Sequence, residues 1–222
     1  MRVLAVTHGP SVGPGVFEDV VRGGGHELIE RQVPIDGVPR DAADAIIVLG
    51  GAMHPDEEER HEWLQPELRY LEEQLERETP LFGVCLGSQL IARAAGATVF
   101  RSVEPEVGWL PVALTEAAAA DPVAASLPER FDALQWHHYT HGLPAGAVEL
   151  ARSRVCTQAF RLGRAWGVQF HPEVRAAQVE AWIAEEPADV ADPEALRIAT
   201  RTRIAAWNEL GRRLCRAFLE AV

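Results

Sequence analysis

The sequence predicts an α/β fold: an open, mostly parallel central sheet flanked by helices, with an antiparallel extension. Three observations carry that expectation. Short apolar runs at residues 2–7, 44–49 and 80–85 stop at turns rich in glycine. Segments with helical periodicity separate them, as in parallel strands joined by crossover helices. After Gly96 the texture changes to strand-like runs with few helices between, which points to antiparallel pairing.

The elements follow in order. Residues 2–7 form a compact apolar run ending at His8-Gly9-Pro10, the mark of a buried first strand. Residues 14–21 read as a short helix closed by Gly23-Gly24-Gly25, and residues 26–33 as a second strand. Residues 44–49 make a third strand, ending in Gly50-Gly51. From 57 to 78 the chain is highly charged, and Trp63, Leu64, Leu68, Leu71 and Leu75 recur at helical spacing, so one long helix is expected. Residues 80–85 read as a fourth strand and 87–95 as a helix, with Gly96 at its C′ position. Beyond it, 98–101, 106–114, 131–136, 147–153, 155–160 and 164–170 read as strands, and 121–127 as one helical turn. From Val174 the chain is helical again. Leu196, Trp207, Leu210, Leu214 and Phe218 form an apolar stripe on the last segment, which Pro187 and Pro193 separate from the helix before. No repeat or linker divides the chain. A single domain over 1–222 is expected, with a C-terminal helical segment from about 189 to 222.

Composition narrows the function. Of 222 residues, 47% are apolar and 24% charged, enough to bury a core without disulfides or metal. The balance of 33 acidic against 21 basic residues gives −12, which repels phosphate backbones and anionic lipid. Neither nucleic acid nor a membrane is therefore an expected partner. All 21 basic residues are arginine. That excludes a P-loop lysine, a Schiff-base lysine and a Ser–Lys dyad. The 3 cysteines, Cys85, Cys156 and Cys215, are odd in number and form no CxxC, so neither a disulfide scaffold nor a cysteine-rich zinc site is expected. The N-terminal apolar stretch is short for a signal peptide, and no run approaches the ~18 residues of a membrane span. A cytoplasmic location is expected.

Three motifs carry chemistry. The first is Gly83-Val84-Cys85-Leu86-Gly87-Ser88-Gln89, where a strand ends at Cys85 and a helix begins at once. This is the thiol version of a nucleophile elbow. Flanking glycines allow a tight, strained turn, and the helix dipole favours thiolate over thiol. The Leu86 N–H has no helical partner and can face an oxyanion. The second is His171-Pro172-Glu173 after a strand. Proline holds His171 extended, so a base and its orienting carboxylate can share one turn. The third is Gly50-Gly51, where the backbone can approach a ligand and the Gly51 N–H can complete an oxyanion hole; a Gly-Gly pair alone also reads as a plain turn. The cluster His137, His138 and His141 invites a metal reading. No acid or cysteine lies near it in sequence, so no metal is expected, and the stretch reads as a loop. Arg101 and Glu106 read as surface residues, with a pocket wall as the alternative.

In this order the motifs resemble the class I, triad-type glutamine amidotransferases, over most of the chain. The closer likeness is to the free-standing, GMP-synthase-like branch, through Gly50-Gly51-Ala52-Met53, Trp63-Leu64 and Glu106-Val107-Gly108-Trp109. The resemblance implies a flavodoxin-like sheet and a Cys85–His171–Glu173 triad, with Gly51 and Leu86 as oxyanion donors. It implies substrate contacts at Gly50, Gln89, His137 and His138. No cofactor is implied. The implied reaction hydrolyses glutamine through a γ-glutamyl thioester, with ammonia passed to a separate synthase subunit. The alternatives are a γ-glutamyl hydrolase for γ-glutamyl amines or peptides, and a non-catalytic regulatory homologue. Near the substrate the family commonly carries His-Gly-Asp or Ser-x-His-x-Asp, where this chain has Trp136-His137-His138-Tyr139-Thr140-His141, so an acid that meets a substrate ammonium is lacking there.

Overall fold

The computed structural model describes residues 1–40 and 42–222. Strands β1 (Arg2–Thr7), β2 (Glu27–Gln32), β3 (Ala45–Val48) and β4 (Leu81–Val84) alternate with helices α1 (Val16–Gly23), the single turn α2 (Val33–Asp36), α3 (Leu64–Glu76) and α4 (Leu86–Ala94). Then come β5 (Val99–Leu114), β6 (Arg130–His141), β7 (Val148–Arg152), β8 (Thr157–Leu162) and β9 (Ala165–Val168), and the helices α5 (Ala176–Glu185) and α6 (Pro193–Glu220). All strands join one 9-stranded sheet, in the order β2-β1-β3-β4-β9-β8-β7-β5-β6.

The parallel half runs from β2 to β9, and pairing turns antiparallel from β8 onward. The last strand-like run therefore does not belong wholly to the extension. β9 inserts parallel beside β4 and antiparallel to β8, joining the two halves. That register sets Val84 opposite Val168, so Cys85 and the turn after β9 leave the sheet side by side.

Three further departures have plain causes. The helix expected over 57–78 spans only Leu64–Glu76. Pro66 has no N–H to give and fits a first turn, not a helix interior, so the helix starts just before it. The runs 98–101 and 106–114 are one strand, β5, with a register shift between Arg101 and Glu106. The histidine cluster is not a loop. It is the end of β6, held by pairing of His137 with Glu106 and of His141 with Val99.

Helices cover both faces of the sheet over two apolar layers. Val16, Phe17, Phe82, Trp207 and Phe218 build one; Leu64, Leu68, Leu71, Leu90 and Ile91 build the other. The C-terminal stripe packs inward, with Trp207, Leu214 and Phe218 almost fully buried. No described helix is long and apolar enough to cross a membrane.

Candidate active site at the carboxyl ends of the strands

Cys85 alone separates β4 from α4. It adopts φ 52, ψ −111, strained for an L-residue. The surrounding glycines make this turn possible. A Cβ on Gly87 would lie 2.0 Å from the Val48 carbonyl oxygen, and one on Gly83 would lie 2.7 Å from the Gly87 backbone. Without them the first turn of α4 could not seat against β3 and β4. The Cys85 Sγ lies 3.7 Å from the Trp136 carbonyl oxygen, at the N-terminal, positive end of α4.

His171 follows β9 and is held from two sides. Its N–H donates to the Leu134 carbonyl at 2.9 Å, and its carbonyl accepts from the Trp207 indole at 2.8 Å. Its Nδ1 lies 2.9 Å from Glu173 Oε1. Helices α1 and α6 clamp this turn. The Val16 N–H donates to the Glu173 carbonyl at 2.8 Å. A Cβ on Gly15 would lie 1.9 Å from that same oxygen, and one on Gly211 would lie 1.9 Å from the Pro172 carbonyl oxygen. His171 and Cys85 flank one glycine: a Cβ on Gly50 would lie 3.2 Å from His171 Cε1 and 3.7 Å from Cys85 Cβ. Burial pulls the His171 imidazole pKa down. The Glu173 carboxylate, with charge and hydrogen bonding at Cys85, outweighs it and raises the value to about 10. His171 therefore stands as an imidazolium beside the sulfur at neutral pH.

These groups border a cavity of about 590 Å³. Gly51, Leu86, Gln89, His137 and His138 line it, as do Arg101 and Tyr139. Gly50 is buried behind the wall, its carbonyl accepting from His8 Nδ1 at 2.9 Å. The Gly51 N–H makes no backbone hydrogen bond among the described residues. Gln89 is fixed by donating to the Tyr139 carbonyl at 2.7 Å and to Gln169 Oε1 at 3.1 Å. His138 pairs with Asp189 at 3.1 Å, and the His54 ring stacks on Tyr139 at 4.3 Å.

Glu106 is buried, not a surface residue. No acid or thiol lies near the histidines in sequence, but the fold brings both to His137. Glu106, His137 and Cys156 bring donor atoms within 4.8 Å of one another. Glu106 Oε2 is already engaged by the Gln158 amide at 2.9 Å and the Ser153 hydroxyl at 3.1 Å, with His137 Nε2 at 3.3 Å. Burial pushes the Cys156 thiol up to about 12, so it stays protonated. The trio forms a buried polar cluster at the edge of the cavity, its carboxylate held by Gln158 and Ser153.

Sequence reasoning missed several neighbours of the site. His8 and Glu67 form a fully buried pair beside Gly50. The end of α5 and the turn after it add Glu185, Glu186 and Asp189 to the cavity wall. Glu67 had a readable signal: it falls four residues after Trp63 and four before Leu71, an acid on the apolar stripe. His8 had another, since it stands at the carboxyl end of a strand, where open α/β sheets bind ligands.

The chain is similar to proteins of one family. The family model for class-I glutamine amidotransferases matches residues 25–186. The chain is 33% identical over 217 residues to the glutamine amidotransferase-like protein YfeJ of Salmonella typhimurium, covering 94% of this chain and 91% of that one. It is 32% identical over 162 residues to the gamma-glutamyl-L-1-hydroxyisopropylamide hydrolase of a Pseudomonas species, covering 68% of this chain and 54% of that protein. Among solved structures, a glutamine amidotransferase from Thermotoga maritima superposes with a TM-score of 0.90 at 30% identity, over 99% of this chain and 98% of that one.

Proposed function

Since the chain belongs to the class-I glutamine amidotransferase family, we propose that it hydrolyses the γ-amide of glutamine or a related γ-glutamyl compound, with Cys85 as nucleophile. One observation carries the reading: a cysteine strained at φ 52 on a helix N-terminus shares Gly50 with a histidine whose Nδ1 lies 2.9 Å from a buried carboxylate.

In this mechanism the Cys85 thiolate attacks the amide carbon. The carbonyl oxygen becomes an oxyanion that accepts from the Gly51 and Leu86 N–H groups, each worth about 3 kcal/mol of barrier. The His171 imidazolium gives its proton to the departing amine, and the γ-glutamyl group stays on the sulfur as a thioester. His171 then takes a proton from water, which attacks the thioester and releases the acid and the thiolate. Glu173 holds the ring and offsets its charge. In this reading Arg101, on the cavity wall, meets the substrate carboxylate. Glu185 and Glu186 supply near the mouth the acid that the His137-His138-Tyr139 stretch lacks for the substrate ammonium.

The test is a panel of glutamine and γ-glutamyl amides, with mass spectrometry of the intact protein. A γ-glutamyl adduct on Cys85 and loss of turnover in Cys85→Ala support the reading. No adduct with any member of the panel refutes it and favours a non-catalytic homologue. Ammonia either leaves to solvent or passes to a separate synthase subunit. High glutaminase turnover by the isolated chain favours the first; turnover that rises only with a synthase favours the second.

A γ-glutamyl hydrolase is the second reading. The cavity of about 590 Å³ is mid-range for whole small-molecule ligands and leaves room for a leaving group larger than ammonia. A relative named for such an amide matches 68% of this chain. A kcat/KM higher for γ-glutamyl alkylamides than for glutamine selects it.

A further inference from the structure

The register of the sheet brings a buried ion pair against the proposed oxyanion hole. β1 and β3 pair with Val6 opposite Val48, and the chain continues on both sides into His8 and Gly50. His8 Nδ1 lies 2.9 Å from the Gly50 carbonyl oxygen, and its Nε2 lies 2.9 and 3.1 Å from the two Glu67 oxygens. The Gly50 carbonyl can only accept, so Nδ1 carries hydrogen; facing an ionised Glu67, Nε2 donates as well and His8 is an imidazolium. Burial opposes that charge, but Glu67 and the backbone carbonyls outweigh it and raise the His8 pKa. Both side chains are 0% exposed. The Trp63 ring stacks on His8 at 5.3 Å and completes the enclosure.

Such a pair is weak evidence for a stability role, because well-packed apolar residues often serve stability as well or better. Its contacts suggest another task. The Gly50 carbonyl belongs to the same peptide unit as the Gly51 N–H. A Cβ at 50 would crowd His171 Cε1 at 3.2 Å, and one at 51 would lie 2.6 Å from the Met53 sulfur and 2.9 Å from His8 Cβ. Two successive glycines leave the peptide between them free to rotate. If it flipped, a carbonyl would face the developing oxyanion in place of an N–H.

We propose that His8, held by Glu67, is a positioning residue that locks the Gly50–Gly51 peptide with its N–H toward the oxyanion. A charged donor on the carbonyl also polarises the N–H at the other end of the peptide. The inference rests on the hydrolase reading above and adds two residues to it.

The experiment compares wild type, His8→Asn, His8→Gln and Glu67→Gln. The substrate is γ-glutamyl-p-nitroanilide, and Cys85 is alkylated in parallel with iodoacetamide. Alkylation builds no oxyanion, so it reports the thiolate and the fold alone. Asparagine places an amide N–H where Nδ1 stood and keeps the bond to Gly50. Glutamine reaches toward Glu67 and loses it. His8→Gln is expected to lower kcat about 100-fold, the size of a lost oxyanion donor, with KM and alkylation within about twofold of wild type. His8→Asn is expected to recover kcat to within about fivefold of wild type, and Glu67→Gln to lose several-fold. Wild-type kcat in His8→Gln overturns the inference, as do equal losses of kcat, alkylation and melting temperature in both His8 variants. A wild-type protein that is alkylated but cleaves no γ-glutamyl substrate overturns the hydrolase reading itself, and this inference with it.

Discussion

The clamp of α6 on the His171 turn yields the sharpest prediction. In Gly211→Ala the new methyl group would lie 1.9 Å from the Pro172 carbonyl oxygen and 3.2 Å from Val16 Cγ2. Ordinary contact begins at 3.4 Å, so the helix and the turn must separate by about 1.5 Å. Neither side yields easily. The turn is tied to β6 through His171 N–H and to α6 through the Trp207 indole, and the nearest atom is backbone. Overpacking of this kind costs about 1–3 kcal/mol, or several degrees of melting temperature in a chain of this size. The larger effect falls on geometry. His171 and Glu173 ride on the displaced segment, and a misplacement near 1 Å costs roughly 100-fold in rate. The assay pairs kcat for γ-glutamyl-p-nitroanilide with thermal melting. A fall of about 100-fold in kcat with only a few degrees lost is expected. A lowered melting temperature with wild-type kcat would show that α6 stabilises the protein without setting the reacting groups.

Other outcomes follow from the same site. Cys85→Gly removes a positive-φ strain of about 1–3 kcal/mol, so it should melt higher than Cys85→Ala while both lack turnover; differential scanning calorimetry checks this. Glu173→Gln removes the main charge that raises His171 to about 10. The alkaline limb of kcat/KM, near pH 10 in wild type, should move toward neutrality, and an unmoved limb would assign it to another group. The folded-state pKa of His171 is raised, so its stabilising share is fully present below the ordinary value near 6.5 and is lost as pH rises through 10. The melting-temperature gap between wild type and Glu173→Gln should therefore narrow across that window. Iodoacetamide at pH 7 should label Cys85 alone, because burial pushes Cys156 and Cys215 up to about 12; peptide mapping that finds either one labelled as fast as Cys85 would contradict it.

Much of the fold was legible because its causes are local. Apolar runs of strand length ending at glycine marked β1, β3 and β4, and Gly96 at φ 83 caps α4 as expected. The elbow was legible for the same reason, since strain at Cys85 needs glycines at fixed offsets. Local pattern misled where a single residue outweighed a period. Pro66 shortened α3, and strand pairing turned an expected histidine loop into the end of β6.

The chain by itself determined the side chains proposed to react, because a tight turn between a strand and a helix is written in adjacent residues. Their meeting was decided only by the tertiary structure. Insertion of β9 beside β4 is a matter of long-range pairing, and it sets His171 next to Cys85. The same holds for the buried supports. Trp207 and Gly211 act on His171 from a helix far along the chain, and Glu67 reaches His8 from helix α3. No local propensity encodes such contacts, since each exists only once two distant faces are packed together.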